Sequence, residues 1–152
     1  MDALERQLKA LPKTLEETYD QILLRINEDY QESALRILRW LAFSARPVTI
    51  RKAAEVLAIN WSNNPPHYDA RLKLLEPRDV LLLCSTLVTT YTASIFDTAE
   101  IQSDYYEYEP ECENTEIVRL AHLSVKEYLL SDRIRFTEAA FYATDANLAH
   151  QF

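Results

Sequence analysis

Apolar residues recur along this chain at helical spacing through its first half, switch to a β-favouring run, and return to helical spacing near the end. The pattern predicts a first helix opening at Thr14, an N-cap with Glu17 three residues on, with Leu15, Tyr19, Ile22, Leu23 and Ile26 on one face. A second helix follows from about Ser33, with Ala34, Ile37, Leu38 and Leu41 inside and Trp40 on a flank, and stops near Arg46-Pro47. Thr49 caps a third, carrying Ala53, Ala54, Val56 and Leu57, which gives way to the loop WSNNPPHYD. Leu72, Leu74 and Leu75 then return to the core, and Pro77 suits the first turn of a fourth helix holding Val80, Leu81, Leu83 and Cys84. Thr86 to Thr92 favours a strand.

The run from Ile117 to Ser131 is the densest in information. Ile117 to Ala121 is β-branched and apolar enough for a second strand, and Ser124 with Glu127 fits a capping box that starts a helix after Ser124. Val125, Tyr128 and Leu129 form the buried face of that helix. His122 therefore falls where a strand becomes a helix, and free N–H groups and the positive end of the helix dipole gather at such a junction. Phosphate or carboxylate docking is one reading of it; a histidine packed at a strand end is the other. Arg119 and Arg133 flank the junction, either as anion partners or as ordinary surface residues. Beyond it, 132–143 is mixed, and a last helix begins near Thr144-Asp145 with Leu148 and Phe152 on one face. That helix is too short to be stable alone, so the chain reads as a piece of something longer.

Composition narrows the choices. The 152 residues include no glycine, which excludes a P-loop or a dinucleotide fingerprint within the chain, because both need glycine for backbone N–H groups to approach phosphates. Prolines 47, 65, 66 and 77 punctuate the helices instead. The net charge of −8 comes from one stretch: Ala93 to Glu116 holds eight acidic residues, no lysine or arginine, and Tyr105, Tyr106 and Tyr108. Elsewhere acidic and basic residues balance, so this reads as a solvated hairpin tip, with a docking strip for a basic partner as the alternative. Cys84 and Cys112 read as free thiols. His67, His122, His150 and the cysteines lack metal-ligand spacing, so no metal is expected. Ser124, His122 and Glu127 are close in sequence without the order or oxyanion hole of a catalytic triad, and no catalytic residue is expected. Neither a membrane span nor a secretory leader is read, making the cytoplasm the expected setting.

Helix, helix, helix, two-stranded hairpin and closing helix is the order of a winged-helix domain, here preceded by one extra helix. LPKTLEETYDQIL, ILRWLAFSARPVTI, LLLCSTLV and VRLAHLSVKEYLLSDRI resemble, in that order, the winged-helix module that follows the NACHT nucleotide-binding domain in fungal signal-transduction NTPases. The module is also known as the winged-helix domain of GPI inositol-deacylase type. The resemblance implies a mainly α fold with a small antiparallel β-hairpin: a linker helix region at 1–31 after an absent NACHT domain, a winged helix at 32–132, and the start of the next helical segment at 133–152. It further implies a non-catalytic, autoinhibitory switch that packs on the nucleotide-binding domain and contacts the ADP diphosphate through His122, with Ser124 and Glu127 capping the helix beside it. ADP or ATP with Mg would belong to the parent protein and not to this chain alone. Expected partners are the NACHT domain and a downstream helical or repeat domain, often ankyrin, with oligomerisation on activation. Neither nucleic acid nor membrane is expected as a partner. DNA binding, common among winged helices, is the rival, but PRDVLLLCST is poor in base-reading side chains and the wing is acidic. A protein-interaction scaffold without nucleotide contact is a further alternative.

Overall fold

The computed structural model describes residues 14–60, 64–93 and 115–145. Its helices are α1 (Leu15–Leu24), α2 (Gln31–Phe43), α3 (Ile50–Leu57), α4 (Asp79–Cys84) and α5 (Leu123–Leu130). Its strands are β1 (Val48–Thr49), β2 (Ile59–Asn60), β3 (His67–Tyr68), β4 (Val88–Ala93) and β5 (Thr115–Leu120). The fold is mainly helical with small antiparallel sheets.

Two helix starts follow the sequence closely. Thr14 Oγ1 accepts from the Glu17 N–H at 3.1 Å, and Thr49 Oγ1 from the Lys52 N–H at 3.2 Å. Each satisfies one of the N–H groups that a helix leaves without an internal partner. α2 begins two residues earlier than Ser33, behind a 3-10 turn at Glu28–Tyr30 that Asn27 caps. Ala34, Leu35, Ile37, Leu38 and Ala42 make its buried stripe, and Trp40 lies half-buried on the flank.

The larger sheet has the order β1-β5-β4. β4 and β5 pair from Val88 opposite Leu120 to Ala93 opposite Thr115, so the two β-favouring runs are the arms of one hairpin. β1 joins the free edge of β5, Val48 opposite Val118 and Thr49 opposite Ile117, a pairing that its two residues are too few to signal in sequence. Neighbours along a strand face opposite sides, so the burial of both Ile117 and Val118 means that both faces of β5 are covered. α2 packs against β5 as well as against α3 and α4. One apolar cluster runs from Tyr19 to Tyr142 and crosses both segment boundaries drawn from the sequence, at 31/32 and 132/133.

Several expectations need correction. Leu15, placed on the inner face of α1, is more than half exposed at the first turn. Of the three leucines expected to re-enter the core, only Leu74 packs against it; Leu72 is exposed and Leu75 fully so. Leu72 ends a 3-10 turn at Ala70–Leu72, and the chain is extended from Lys73, so the three leucines share no single helical face. Pro77 lies in the turn ahead of α4 and not inside it; its carbonyl accepts from the Val80 N–H at 3.3 Å. The β-run starts late because Ser85–Leu87 forms a 3-10 turn before β4. The WSNNPPHYD stretch holds some regular structure, since β2 and β3 pair through Ile59 opposite Tyr68 and Asn60 opposite His67. Asp69 closes that excursion: its N–H donates to the Ala58 carbonyl at 2.7 Å and its carboxylate takes the Arg71 guanidinium at 2.8 and 2.9 Å. That guanidinium holds the Asp69 carboxyl down at about 2. The acidic residues between 94 and 114, Cys112, His150 and the last helix beyond Asp145 lie outside the described residues.

Candidate functional site

β5 ends at Leu120 and α5 begins at Leu123, so the sequence places His122 correctly at the junction. The Ala121 N–H donates to the Leu87 carbonyl at 2.9 Å, pinning the corner to the turn before β4. His122 is the N-cap residue, extended at φ −143° and ψ 149°, and its carbonyl accepts from the Val125 N–H at 3.1 Å. Its imidazole is exposed, and the Leu123 side chain beside it is 70% exposed. Val125, Tyr128 and Leu129 face inward as the periodicity predicts. The corner thus presents an imidazole and the open end of a two-turn helix to the outside. Both are donors or positive ends, suited to an anion.

The capping box is not formed. α5 starts two residues earlier than predicted and carries no side-chain cap, which puts Ser124 inside the first turn. Its hydroxyl turns inward instead and lies 2.8 Å from the Tyr19 hydroxyl of α1. A distant phenol thus outcompetes the local N–H, an outcome that local spacing does not encode. Glu127 is exposed on the outer face. With the imidazole pointing out and the Ser124 hydroxyl pointing in, the sequence-adjacent trio is split between two sides of the helix.

The residues around Ser124 that sequence reasoning missed form a polar joint. Glu16, Tyr19, Asp20 and Leu23 recur at i, i+3, i+4 and i+7, a single stripe of α1. Leu23 is fully buried, and the other three each take a polar partner from the C-terminal part of the fold. The Tyr128 hydroxyl donates to Asp20 Oδ1, which also accepts from Thr137 Oγ1 at 2.8 Å. Arg133 pairs with Glu16, and the Tyr19 and Tyr128 rings lie 5.7 Å apart, tilted by 41°. Burial first, and the Asp20 carboxylate second, raise the Tyr128 phenol well above its ordinary value. The available signal was Asp20 itself, a carboxylate next to Tyr19 on the inner stripe, where periodicity asks for an apolar residue.

Other candidates are accounted for locally. Arg133 is engaged by Glu16, and Arg119 stacks over the Tyr91 ring at 5.0 Å. Cys84 is buried, and burial pushes its thiol up to about 12, so it is a poor nucleophile as the sequence suggested. Among the described residues no group of three or more histidine, cysteine or carboxylate side chains gathers, and no helix is long and apolar enough to cross a membrane.

No protein-family model matches the chain, and no solved structure matches it. It is similar to a protein of Monascus ruber named azaphilone pigments biosynthesis cluster protein L, with 35% identity over 147 residues. The alignment covers 97% of this chain and 28% of that protein, so the chain spans little more than a quarter of the relative's length.

Proposed function

We propose that this chain is a winged-helix regulatory module of a larger NACHT-type NTPase, packing on the nucleotide-binding domain and contacting a bound ADP through His122. The observation that carries this reading is the exposed His122 at the β5–α5 corner of a sheet ordered β1-β5-β4. Helix, short strand, two helices and hairpin, with the short strand added beside the hairpin's second arm, is the winged-helix order. A small module that recurs within a much longer relative fits a part serving a larger protein. That relative is named for a pigment biosynthesis cluster, and a regulatory role for the parent of this chain in such a cluster is compatible with the reading.

His122 suits the contact because it is accessible, sits where β5 turns into α5, and is backed by the N-terminal end of α5. The nucleotide, with its Mg, supplies the phosphates; the module supplies one donor and a packing surface. One such hydrogen bond is worth about 1.5 to 3 kcal/mol, enough to bias a closed state and too little to bind nucleotide alone. In this role the module is non-catalytic and cytoplasmic, a latch between the NACHT domain and a downstream helical or repeat domain, released for oligomerisation. The DNA-binding alternative finds little support. α4, the helix that would enter the groove, exposes Leu82, and Arg78 just before it is paired with Glu116 at 3.1 Å.

The test is made on the parent protein, extended through its nucleotide-binding domain. Nucleotide released by denaturation is quantified for the natural protein and for His122→Ala. ADP retained by the first and lost by the second is the expected result; equal retention would reduce His122 to a surface residue.

A further inference from the structure

We infer that Tyr19 is a positioning residue for the His122 corner, so that α1 sets where that corner sits and undocking α1 releases it. The first turn of α5 has few anchors of its own. His122 and Leu123 point outward, and no side chain caps the helix. Val125 anchors it below, and the Ser124 hydroxyl anchors it sideways, 2.8 Å from the Tyr19 hydroxyl of a helix 105 residues away in sequence. The same stripe of α1 grips the rest of α5 and the turns after it, through Asp20 to Tyr128 and Thr137 and through Glu16 to Arg133.

The chemistry of these links makes them reversible. Each polar group can exchange its partner for water when α1 leaves, so separation costs less than opening an all-apolar face of equal area. Leu23 and Ile26 keep the C-terminal end of α1 in the core, and towards its N-terminal end the Tyr19 ring is the buried apolar contact between the polar links of Glu16 and Asp20. A displacement of whatever precedes α1 would then reach His122 through a hydroxyl pair, with no change in the β-sheet. The consequence for nucleotide retention rests on the function proposed above; the positioning role does not.

Amide hydrogen exchange on this chain separates the two. Tyr19→Phe keeps the ring and removes the hydroxyl, and Ser124→Ala removes its partner. Each should speed exchange at residues 124–127 by about three- to tenfold, the scale of one hydrogen bond, while amides of α2 and α3 stay unchanged. The double variant should go no further than either single one. Unchanged exchange at 124–127, or equal acceleration in α2 and α3, would overturn the inference. In the parent protein Tyr19→Phe should lower retained ADP as His122→Ala does. Loss of ADP with His122→Ala alone would break the link from α1 to the corner. If His122→Ala loses none, the proposed function falls and the exchange data still decide the role of Tyr19.

Discussion

The packing of α2 against α3 and α4 and the packing of α1 against α5 are built from different materials. α2 buries Ala34, Leu35, Ile37, Leu38 and Ala42 against side chains such as Ala53, Leu57, Val80 and Leu83, an interface without charges at its centre. α1 buries Leu23 and the Tyr19 ring but adds to that contact a phenol hydroxyl, two carboxylates and their partners. The first arrangement can only be fully closed or grossly disrupted, because separating it exposes hydrocarbon. The second has a solvated alternative for almost every link. One region is the scaffold, and the other is a joint.

Substitutions should separate them by size of effect. Ile37→Ala, in the centre of the scaffold, should destabilise by about 2 to 5 kcal/mol in urea unfolding, the cost of a large cavity. A loss below about 1 kcal/mol would mean that the scaffold is looser than its burial implies. Asp20→Ala, in the joint, should cost about 1 to 3 kcal/mol, because it leaves the Tyr128 hydroxyl without its acceptor in a part-buried site. Asp20→Asn, which keeps an acceptor oxygen, should recover part of that loss.

Alkali should weaken the joint and the core together. Burial holds Cys84 and Tyr142 up to about 12 and raises Tyr128 further with help from Asp20, so folding favours the protonated form of each. The unfolded chain releases these protons near 9 for the thiol and 10 for the phenols. Their contribution is therefore complete below about pH 9 and is lost as the pH rises through the folded values. Tyr142→Phe should flatten this loss in a pH series of melting temperatures. It should also cost almost nothing at neutral pH, since the Tyr142 hydroxyl is buried without a hydrogen bond among the described residues.

Smaller effects complete the contrast. Thr49→Ala removes the cap of α3 and should cost about 1 kcal/mol. Arg133→Ala should cost less than about 1 kcal/mol and vanish in high salt, because Arg133 and Glu16 are both about half exposed. An Arg133 effect as large as that of Asp20 would mean that the joint is held by its rim and not by its buried hydroxyls.

The sequence made some of this legible and hid the rest for physical reasons. Thr14 and Thr49 could be read as caps because a cap is decided within three residues. The hairpin of β4 and β5 and the position of His122 at the end of β5 followed from periodicity. Ser124 misled because its spacing to Glu127 satisfies the local rule, while its partner, Tyr19, is brought in by tertiary packing. Leu72 and Leu75 misled because the chain changes from a 3-10 turn to extended backbone at Lys73, and neighbouring leucines across such a change carry no period that says which turns inward. β1 was hidden because two residues carry no period, though its pairing with β5 sets the sheet order on which the functional reading leans. Asp20 could have been found as a carboxylate on a buried stripe, but its two hydroxyl partners lie more than 100 residues away.

The measurement closest to the central claim is hydrogen exchange across residues 120–126 of the parent protein, bound first to ADP and then to a non-hydrolysable ATP analogue. A latch that closes on the nucleotide through His122 predicts protection of this corner with ADP and its loss with the ATP analogue. Equal exchange in the two states would contradict that claim and leave the β5–α5 corner a solvent-facing turn.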